Sequence, residues 1–344
     1  MKSDPVGIVI INYNEGERLV EALASIKKLV TPVQEVVLVD DGSTDGSVEW
    51  AKQAYPGIRV IGPEKNMGNV SRLRNLGMGA LRSNKIFITD SDIVLEPDCI
   101  EQLLEAHKRL PGAAILTPRL LYAEQKERIY ADGQKLHYLC TTIAPSRNRS
   151  VGEAEGEITE TAGCGIMLLD RTRLDGTCYF DEAIPWGWGD DGQIFRRAQL
   201  AGYGCYNVPQ AVAFHYGKTR TTERAQFQVQ NRWSLILETY QFRTILLIFP
   251  ALVLYEFFLF ALLVSKGALG AYFRGNAAVL KNLPRIWAKR KRIAQIRTVG
   301  DRETLTSGPL YVSPALVANP FLNAALRAAS AVFNFYWFCV RRFI

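Results

Sequence analysis

The feature that most constrains this chain is a rhythm near its start. "GIVIINYN" (7 to 14), "EVVLVDDGSTDGS" (35 to 47) and "KIFITDSD" (85 to 92) are runs of β-formers that each stop in polar or acidic residues. Continuous apolar runs of this length suit strands covered on both faces, as in a parallel sheet. Between them, "EGERLVEALASIKKL" sets Leu19, Ala22, Leu23, Ile26 and Leu29 at helical spacing. A second helix is predicted from about Ser47 to Tyr55, "IRVIGPEK" follows as strand and turn, and "NVSRLRNLGMGALRS" reads as a third helix. Strand-helix units in series predict an α/β fold with a doubly wound, mostly parallel sheet, whose ligands bind at the carboxyl ends of its strands. Asp40-Asp41 and Asp90-Ser91-Asp92 fall at such ends.

Further along, residues 122 to 160 lose the rhythm and read as an irregular hairpin and an exposed loop. "EITETAGCGIMLLDR" (157 to 171) reads as one strand carrying two glycines, and "WGWGDDGQIFRRAQLAGYG" (186 to 204) as an aromatic-glycine loop turning into a helix near Asp190.

The acids raise a physical question. Residues i and i+2 of a strand share a face, so Asp90 and Asp92 repel unless a turn separates them or a cation lies between them. Hard oxygen ligands at this spacing suit Mg2+ or Mn2+ bridging a diphosphate. Turn chemistry explains the glycines and hydroxyls of "DDGSTDGS", and Asp45 or Ser47 as a helix cap, but not the adjacent carboxylates Asp40 and Asp41. One of these can accept an N–H from a nucleobase. In "PWGWGDD", Trp186 and Trp188 precede Asp190 and Asp191, which suits stacking on a sugar ring beside a carboxylate base; the plain alternative is acids favoured at a helix N-terminus. His215, one of three histidines, ends the strand-like "AVAFHYG".

Composition enters through its unevenness. The 344 residues are 48% hydrophobic and 22% charged, enough for an ample core. Six scattered cysteines without a CxxC pair, and a start without a charged-then-apolar leader, favour a reducing, cytosolic side. The net charge of +7 conceals 28 basic against 31 acidic residues over 1–243, and 13 against 3 over 244–344. Basic residues set among long apolar runs point to a membrane lipid surface as partner and not to nucleic acid.

The expected division is therefore an α/β domain at 1–243, which carries the acid clusters, and a helical, basic, membrane-associated region at 244–344. "ILLIFPALVLYEFFLFALLV" (245 to 264) would be about 30 Å long as a helix, enough for one crossing. Yet residues 266 to 302 hold ten Lys and Arg, including "KRKR" at 289 to 292, and one crossing from a cytosolic domain would place them outside. A segment that enters and returns, bent near Lys266-Gly267, or one lying in the interface, is expected. Residues 315 to 344 would be a second shallow element with Tyr336, Trp337, Arg341 and Arg342 at headgroup level, and a true crossing is the alternative.

In order over roughly residues 6 to 220, "VIINYNE", "VVLVDDGSTDGS", "ITDSD", "TAGCGIMLLDR" and "WGDDGQIFRRAQLAGY" resemble an inverting glycosyltransferase of family 2, with the nucleotide-sugar-binding GT-A fold. The resemblance implies that Tyr13, Asn14 and Glu15 lie against the nucleotide, that Asp41 holds the base with Asp40 beside it, and that Asp90, Ser91 and Asp92 form the D-x-D segment. In that pattern Asp92 contacts the metal and His215 completes its site. Gly163, Cys164 and Gly165 match a small-residue strand near the acceptor, with Trp186, Trp188 and Asp190 beside it, and Asp191 matches the general base. The chain departs from the pattern at Asp190, where a glutamate is usual, at Gln193, where an acid is usual, and in "NMGNVSRLRNLG", which is one residue longer; these bear on acceptor preference.

The implied activity is inverting, metal-dependent transfer of a hexosyl or deoxyhexosyl group from a nucleotide diphosphate sugar donor to a hydroxyl of a lipid-linked saccharide acceptor at the cytosolic membrane face. A polyprenyl-phosphate sugar synthase and a non-catalytic membrane-bound sugar-binding protein are the alternatives. A nucleotidyltransferase would carry a glycine-rich basic loop where this chain has "NYNEGERL", and a receiver module would leave the second half unexplained.

Overall fold

The computed structural model describes residues 5–154, 156–174, 176–177, 179–187, 189–217, 225–310 and 320–344. The chain forms two compact units: Met1–Gly133, Ser146–Trp186 and Tyr203–Gly217 make the first, and Gln134–Pro145, Gly187–Gly202 and Lys218–Ile344 the second. In chain order the elements are β1 (Val6–Asn12), α1 (Gly16–Lys27), β2 (Val33–Asp40), α2 (Ser47–Ala54), β3 (Arg59–Ile61), α3 (Val70–Ala80), β4 (Lys85–Asp90), β5 (Ile93–Leu95), α4 (Cys99–Arg109), β6 (Ala113–Tyr122), β7 (Gln125–Ala131), β8 (Lys135–Leu136), β9 (Thr142–Ile143), β10 (Thr159–Glu160) and β11 (Met167–Asp170). They continue with α5 (Gly192–Leu200), β12 (Gly204–His215), α6 (Ala225–Thr239), α7 (Phe242–Ser265), α8 (Leu269–Lys281), α9 (Leu283–Ile296), α10 (Asp301–Thr304) and α11 (Pro320–Val340).

The first unit is built on a ten-stranded sheet ordered β10-β12-β6-β11-β4-β1-β2-β3, with β5 paired to β12 and β7 to β6. The rhythmic N-terminal strands form its parallel half, β3-β2-β1-β4. Every residue of β1 is buried, as its unbroken apolar run requires, and each such aliphatic side chain contributes about 1.5–3 kcal/mol. Register sets the functional edge: Asn12 lies opposite Asp40, and Ile11 opposite Asp90, so three strands end together.

Helix α3 packs unusually close to this sheet. A Cβ on Gly77 would lie 2.3 Å from Val9 Cγ1 and 2.9 Å from Val39 Cγ2, which accounts for a glycine inside a helix at a propensity cost of about 1 kcal/mol.

The segment "EITETAGCGIMLLDR" is not one strand. It splits into β10, antiparallel to β12, and β11, which runs antiparallel between β4 and β6, while Gly163–Cys164–Gly165 lies in the irregular stretch between them. Its two pieces reach different neighbours in the sheet, so the ladder has to break at the glycines. At the far end of β11, Asp170 sits opposite Lys85 and gathers His107 Nε2 at 2.9 Å, Lys85 Nζ at 3.1 Å and Thr172 Oγ1 at 2.6 Å. Burial alone would raise its carboxyl, but the bonds from His107, Thr172 and Lys85 prevail and hold it well below the usual carboxylate range.

The second unit is helical. Helix α7 turns a single stripe inward, with Thr244, Ile248, Ala251, Leu252 and Leu263 buried, while Leu246, Phe249 and Phe257 on its other side are exposed. The one acid in its apolar run, Glu256, belongs to the inward side: it pairs with Arg232 of α6 and accepts from Tyr272 Oη of α8 at 2.8 Å. Among the described residues α7 alone is long and apolar enough to cross a bilayer, at 24 residues with a mean hydropathy of 2.5 over its most apolar 18. The chain bends after it, with Gly267 at φ 67°, and returns as α8. Helix α11 is fastened to the 134–145 segment by Tyr138, which stacks on Trp337 at 4.7 Å and donates to the Phe333 carbonyl at 2.9 Å.

Because the Asp170 carboxyl is depressed in the folded state, the stability it supplies is present above the unfolded carboxylate pKa of about 3.9 and is lost as pH falls through the lower folded value. Urea unfolding of the wild type should therefore weaken on acidification below about pH 4. Asp170→Asn should be less stable at pH 7 and should show a shallower acid limb; an unchanged limb would show that the acid sensitivity lies elsewhere.

Candidate active site

The loops after β1 and β2 lock together at the carboxyl edge of the sheet. Asn14, at φ 52°, donates its backbone N–H to Ser43 Oγ at 2.9 Å and accepts from Thr44 N at 2.8 Å, and Gly16 N donates to Asp45 Oδ2 at 3.0 Å. Tyr13 is 47% exposed, whereas Glu15 pairs locally with Arg18 at 3.3 Å. Gly46 is the N-cap residue of α2, and Asp45 meets the first helical N–H from outside, its Oδ1 accepting from Ser47 N at 3.0 Å.

Asp40 and Asp41 are buried and turned to different loops. Asp40 accepts from Asn12 Nδ2 at 2.7 Å, Ser43 N at 2.8 Å and Ser43 Oγ at 2.6 Å. Asp41 accepts from the backbone N–H groups of Met67 at 2.8 Å and Gly68 at 3.1 Å. Gly42 makes this approach possible, at φ +73° with a hypothetical Cβ only 2.8 Å from the Lys65 and Asn66 backbone. Since an ionised carboxylate offers about four lone-pair sites, Asp41 retains the greater capacity for a ligand N–H.

The repulsion between Asp90 and Asp92 is met by a turn and by a separate partner for each acid, a guanidinium for one and an imidazole for the other. β4 ends at Asp90, the chain turns, and β5 begins after Asp92. Arg74, buried on α3, reaches Asp90 with Nη2 at 3.7 Å from Oδ1. His215, brought over by the β5–β12 ladder, places Nε2 3.3 Å from Asp92 Oδ2, and Tyr216 N donates to the Asp92 carbonyl at 3.1 Å. Ser91 is buried and donates its backbone N–H to the Ile11 carbonyl at 2.9 Å. Gly165 abuts the first pair: a Cβ there would sit 3.4 Å from Arg74 Nη2 and 3.8 Å from Asp90 Oδ2. Gly163 and Cys164 beside it are buried.

The His215 ring is set by Tyr130, whose ring stands edge-on to it at 4.2 Å, and its buried Nδ1 has no hydrogen-bond partner among the described residues. Asp92 and His215 form a carboxylate-imidazole pair of the kind that holds Mg2+ or Mn2+. Among the described residues no group of three or more His, Cys, Asp or Glu is arranged to hold a metal, so such an ion would take its other ligands from a diphosphate and water, as Mg2+ commonly does.

Trp186, half-buried, closes one segment of the first unit, and Trp188 lies outside the described residues. Asp190 and Asp191 belong to the second unit. Asp191 is the N-cap of α5, with Oδ1 accepting from Gly192 N at 2.8 Å, and its side chain is part-exposed. Gln193 ties the same turn, donating to the Asp190 carbonyl at 3.2 Å while accepting from Arg197 Nη1 at 2.9 Å. The helix-capping alternative and the base reading are thus compatible, since the cap leaves the second carboxylate oxygen available.

Sequence reasoning missed Asn12, Arg74 and Tyr130. Arg74 had a signal: it shares the buried face of α3 with Ser71, Gly77 and Met78, a place where a guanidinium needs a partner. Asn12, the polar last residue of an otherwise apolar strand, had a weaker one.

The sequence pattern described as Glycosyl transferase family 2 matches residues 7–166. The N-acetylglucosaminyl-diphospho-decaprenol L-rhamnosyltransferase of Mycobacterium tuberculosis is 33% identical over 247 residues, which cover 64% of this chain and 79% of that protein. Glycosyltransferase GlyG of Streptococcus pneumoniae is 29% identical over 156 residues, 44% of this chain and 52% of that protein. The crystal structure of GalNAc-T7 with UDP, GalNAc and Mn2+ superposes with a TM-score of 0.56 at 15% identity, over 71% of this chain and 49% of that one. That likeness establishes the fold.

Asn12 Nδ2 lies at the centre of the strand-end cluster, donating to Asp40, Ser43 and Ser47. Asn12→Ala should cost about 1–3 kcal/mol, because a buried carboxylate loses a donor. Chemical denaturation measures this, and a change under about 0.5 kcal/mol, the range of an ordinary surface substitution, would show that Asp40 is held without Asn12.

Proposed function

The chain belongs to glycosyl transferase family 2 and is a glycosyltransferase, and on that premise we propose that it moves a hexosyl or deoxyhexosyl group from a nucleotide diphosphate donor to a hydroxyl of a lipid-linked saccharide, with inversion, at the cytosolic membrane face. The observation that carries this reading is the convergence of Asp41, Asp90, Asp92 and His215 at the carboxyl edge of one sheet, in a relative of an enzyme whose name specifies a diphospho-lipid-linked sugar acceptor.

In this reading the Tyr13–Asn14–Glu15 loop and Asp41 receive the nucleoside, Tyr13 with its exposed ring and Asp41 with its remaining lone pairs. Asp90 and Ser91 lie alongside the donor. Arg74 keeps Asp90 from facing the diphosphate as an uncompensated charge. Asp92 and His215 hold Mg2+ or Mn2+, which when bound offsets negative charge on the leaving diphosphate. Gly163, Cys164, Gly165 and Trp186 of the first unit are the proposed acceptor contacts there, small residues and an aromatic ring that suit a sugar, and Trp188 and Asp190 are assigned to the acceptor from the sequence alone. Asp191 accepts the proton of the attacking hydroxyl, and displacement from the opposite face inverts the anomeric centre without a covalent intermediate.

A phosphate acceptor is already an anionic nucleophile and needs no such base. This separates the proposal from a polyprenyl-phosphate synthase. Asp191→Asn should lower turnover by roughly 10² to 10⁴ while nucleotide-sugar affinity changes little, and Asp92→Ala should remove the metal-dependent part of nucleotide diphosphate binding. Transfer to bare polyprenyl phosphate by Asp191→Asn at the wild-type rate would favour the synthase, full activity in excess EDTA would remove the metal, and donor binding without turnover in the wild type would leave a sugar-binding protein.

For attachment, we propose that α7 and α11 seat in one leaflet. Glu256 is turned inward to Arg232, the exposed side of α7 is apolar, and exposed Phe335 and Phe338 of α11 adjoin Arg341 and Arg342. The bend after α7 keeps the basic 266–302 stretch on the side from which α7 entered, as the positive-inside rule favours. A Lys266→Cys variant should react with a membrane-impermeant maleimide in inside-out vesicles and be protected in right-side-out ones; the reverse pattern would mean that α7 crosses.

A further inference from the structure

We infer that Arg196 and Asp301 are positioning residues for turnover: they clamp the segment after α9 onto α5, the helix that presents Asp191, and so make the basic C-terminal region part of the catalytic apparatus as well as an anchor. This rests on the reading of Asp191 as the base.

Asp191 is not on a free loop. As the N-cap of α5 its carboxylate is aimed by the helix itself, through the bond from Gly192 N, so any shift of α5 moves the carboxylate with it. Arg196 follows five residues on, about 7.5 Å along the helix axis at the standard rise, and is turned fully inward at 1% exposure. Its Nη2 lies 2.7 Å from Asp301 Oδ1, its Nη1 donates to Thr304 Oγ1, and its Nε is 3.4 Å from Thr239 Oγ1. Asp301, with no exposed surface, also takes Arg297 Nη1 at 3.0 Å and Gln241 N at 2.6 Å. The same segment caps the other end of α5, where Thr298 N and Val299 N donate to the Leu200 carbonyl at 2.8 and 3.2 Å. Residues 297–304 therefore hold α5 at its middle and at its C-terminus.

A buried ion pair is a poor way to gain stability, because apolar side chains of similar volume do as well without the desolvation cost. What the fork of a guanidinium supplies is direction: several N–H groups in one rigid plane fix both the rotation and the axial position of the helix. For a base that must lie within hydrogen-bond reach of an acceptor hydroxyl, a displacement of about 1 Å is enough to cost up to roughly a hundredfold in rate.

The test replaces the pair as a unit, with Arg196→Met and Asp301→Leu in the full-length chain, so that neither member is left facing the gap of the other, while Arg297 keeps the Val299 and Thr239 carbonyls. The double variant should unfold cooperatively and keep the donor KM within about threefold, while kcat falls about tenfold or more and amide exchange quickens across 189–201 but not in β1 or β4. Thr304→Val, which removes the bond from Arg196 and the hydroxyl's bond to the Gly300 carbonyl but no charge, provides the reading if the double variant does not fold; it should lower kcat by a few fold at unchanged donor KM. Arg196→Lys should retain more kcat than Arg196→Met. Asp191→Asn is run alongside. Full kcat in a folded double variant, or in Thr304→Val, beside an inactive Asp191→Asn would overturn the positioning role alone, whereas a near-normal Asp191→Asn would remove the base reading and this inference with it.

Discussion

A carboxylate at the end of a buried strand persists only if donors or cations meet it, and that requirement organises the first unit. Asp40, Asp41, Asp90 and Asp92 all lie at the carboxyl edge of the sheet, and each has found its own partners: Asn12 and Ser43, the backbone of Met67 and Gly68, Arg74, and His215. The parallel register of β1 with β2 and β4 makes the convergence unavoidable, since three strands stop at one level. The loops that follow are then fixed by the acids. The carboxylates of this edge are oriented before any ligand arrives, and orientation in advance reduces the ordering cost of binding.

The second unit faces the same electrostatic problem in an apolar setting. Glu256 lies in the most hydrophobic helix of the chain and Asp301 has no solvent contact, yet neither is alone: Arg232 and Tyr272 meet the first, and Arg196, Arg297 and Gln241 the second. These inward pairs leave the outer side of α7 with aliphatic and aromatic side chains, a surface that water covers poorly and lipid covers well. The unit that carries this surface also carries Asp191. Hydropathy alone suggested a boundary near residue 243, but compact packing joins 187–202 and 134–145 to the C-terminal helices, through Arg196 in one case and through Tyr138 with Trp337 in the other.

Much of the first unit was legible because its signals are local. Continuous apolar runs mark the buried strands, helical spacing marks α1 to α3, and turn chemistry marks "DDGSTDGS". The bend near Lys266-Gly267 was legible from the basic residues that follow the apolar run, and the structure puts Gly267 there in the left-handed region. The misreading of "EITETAGCGIMLLDR" has a definite cause: two short pieces of similar composition pair with different neighbours, and composition carries no record of which neighbour a strand will find.

The residues by themselves therefore determined the α/β class, the placing of the acids at strand ends and the apolar, basic character of the tail, because each follows from a pattern within one element. Only the tertiary structure decided which side chain answers which acid. Arg74 reaches Asp90 because α3 packs against the sheet at Gly77, and His215 reaches Asp92 because β12 pairs antiparallel with β5. It also decided that α5 is held by Asp301. Such pairings depend on strand order, register and the distance at which helices pack, which are properties of many elements at once and leave no periodic trace in any one of them.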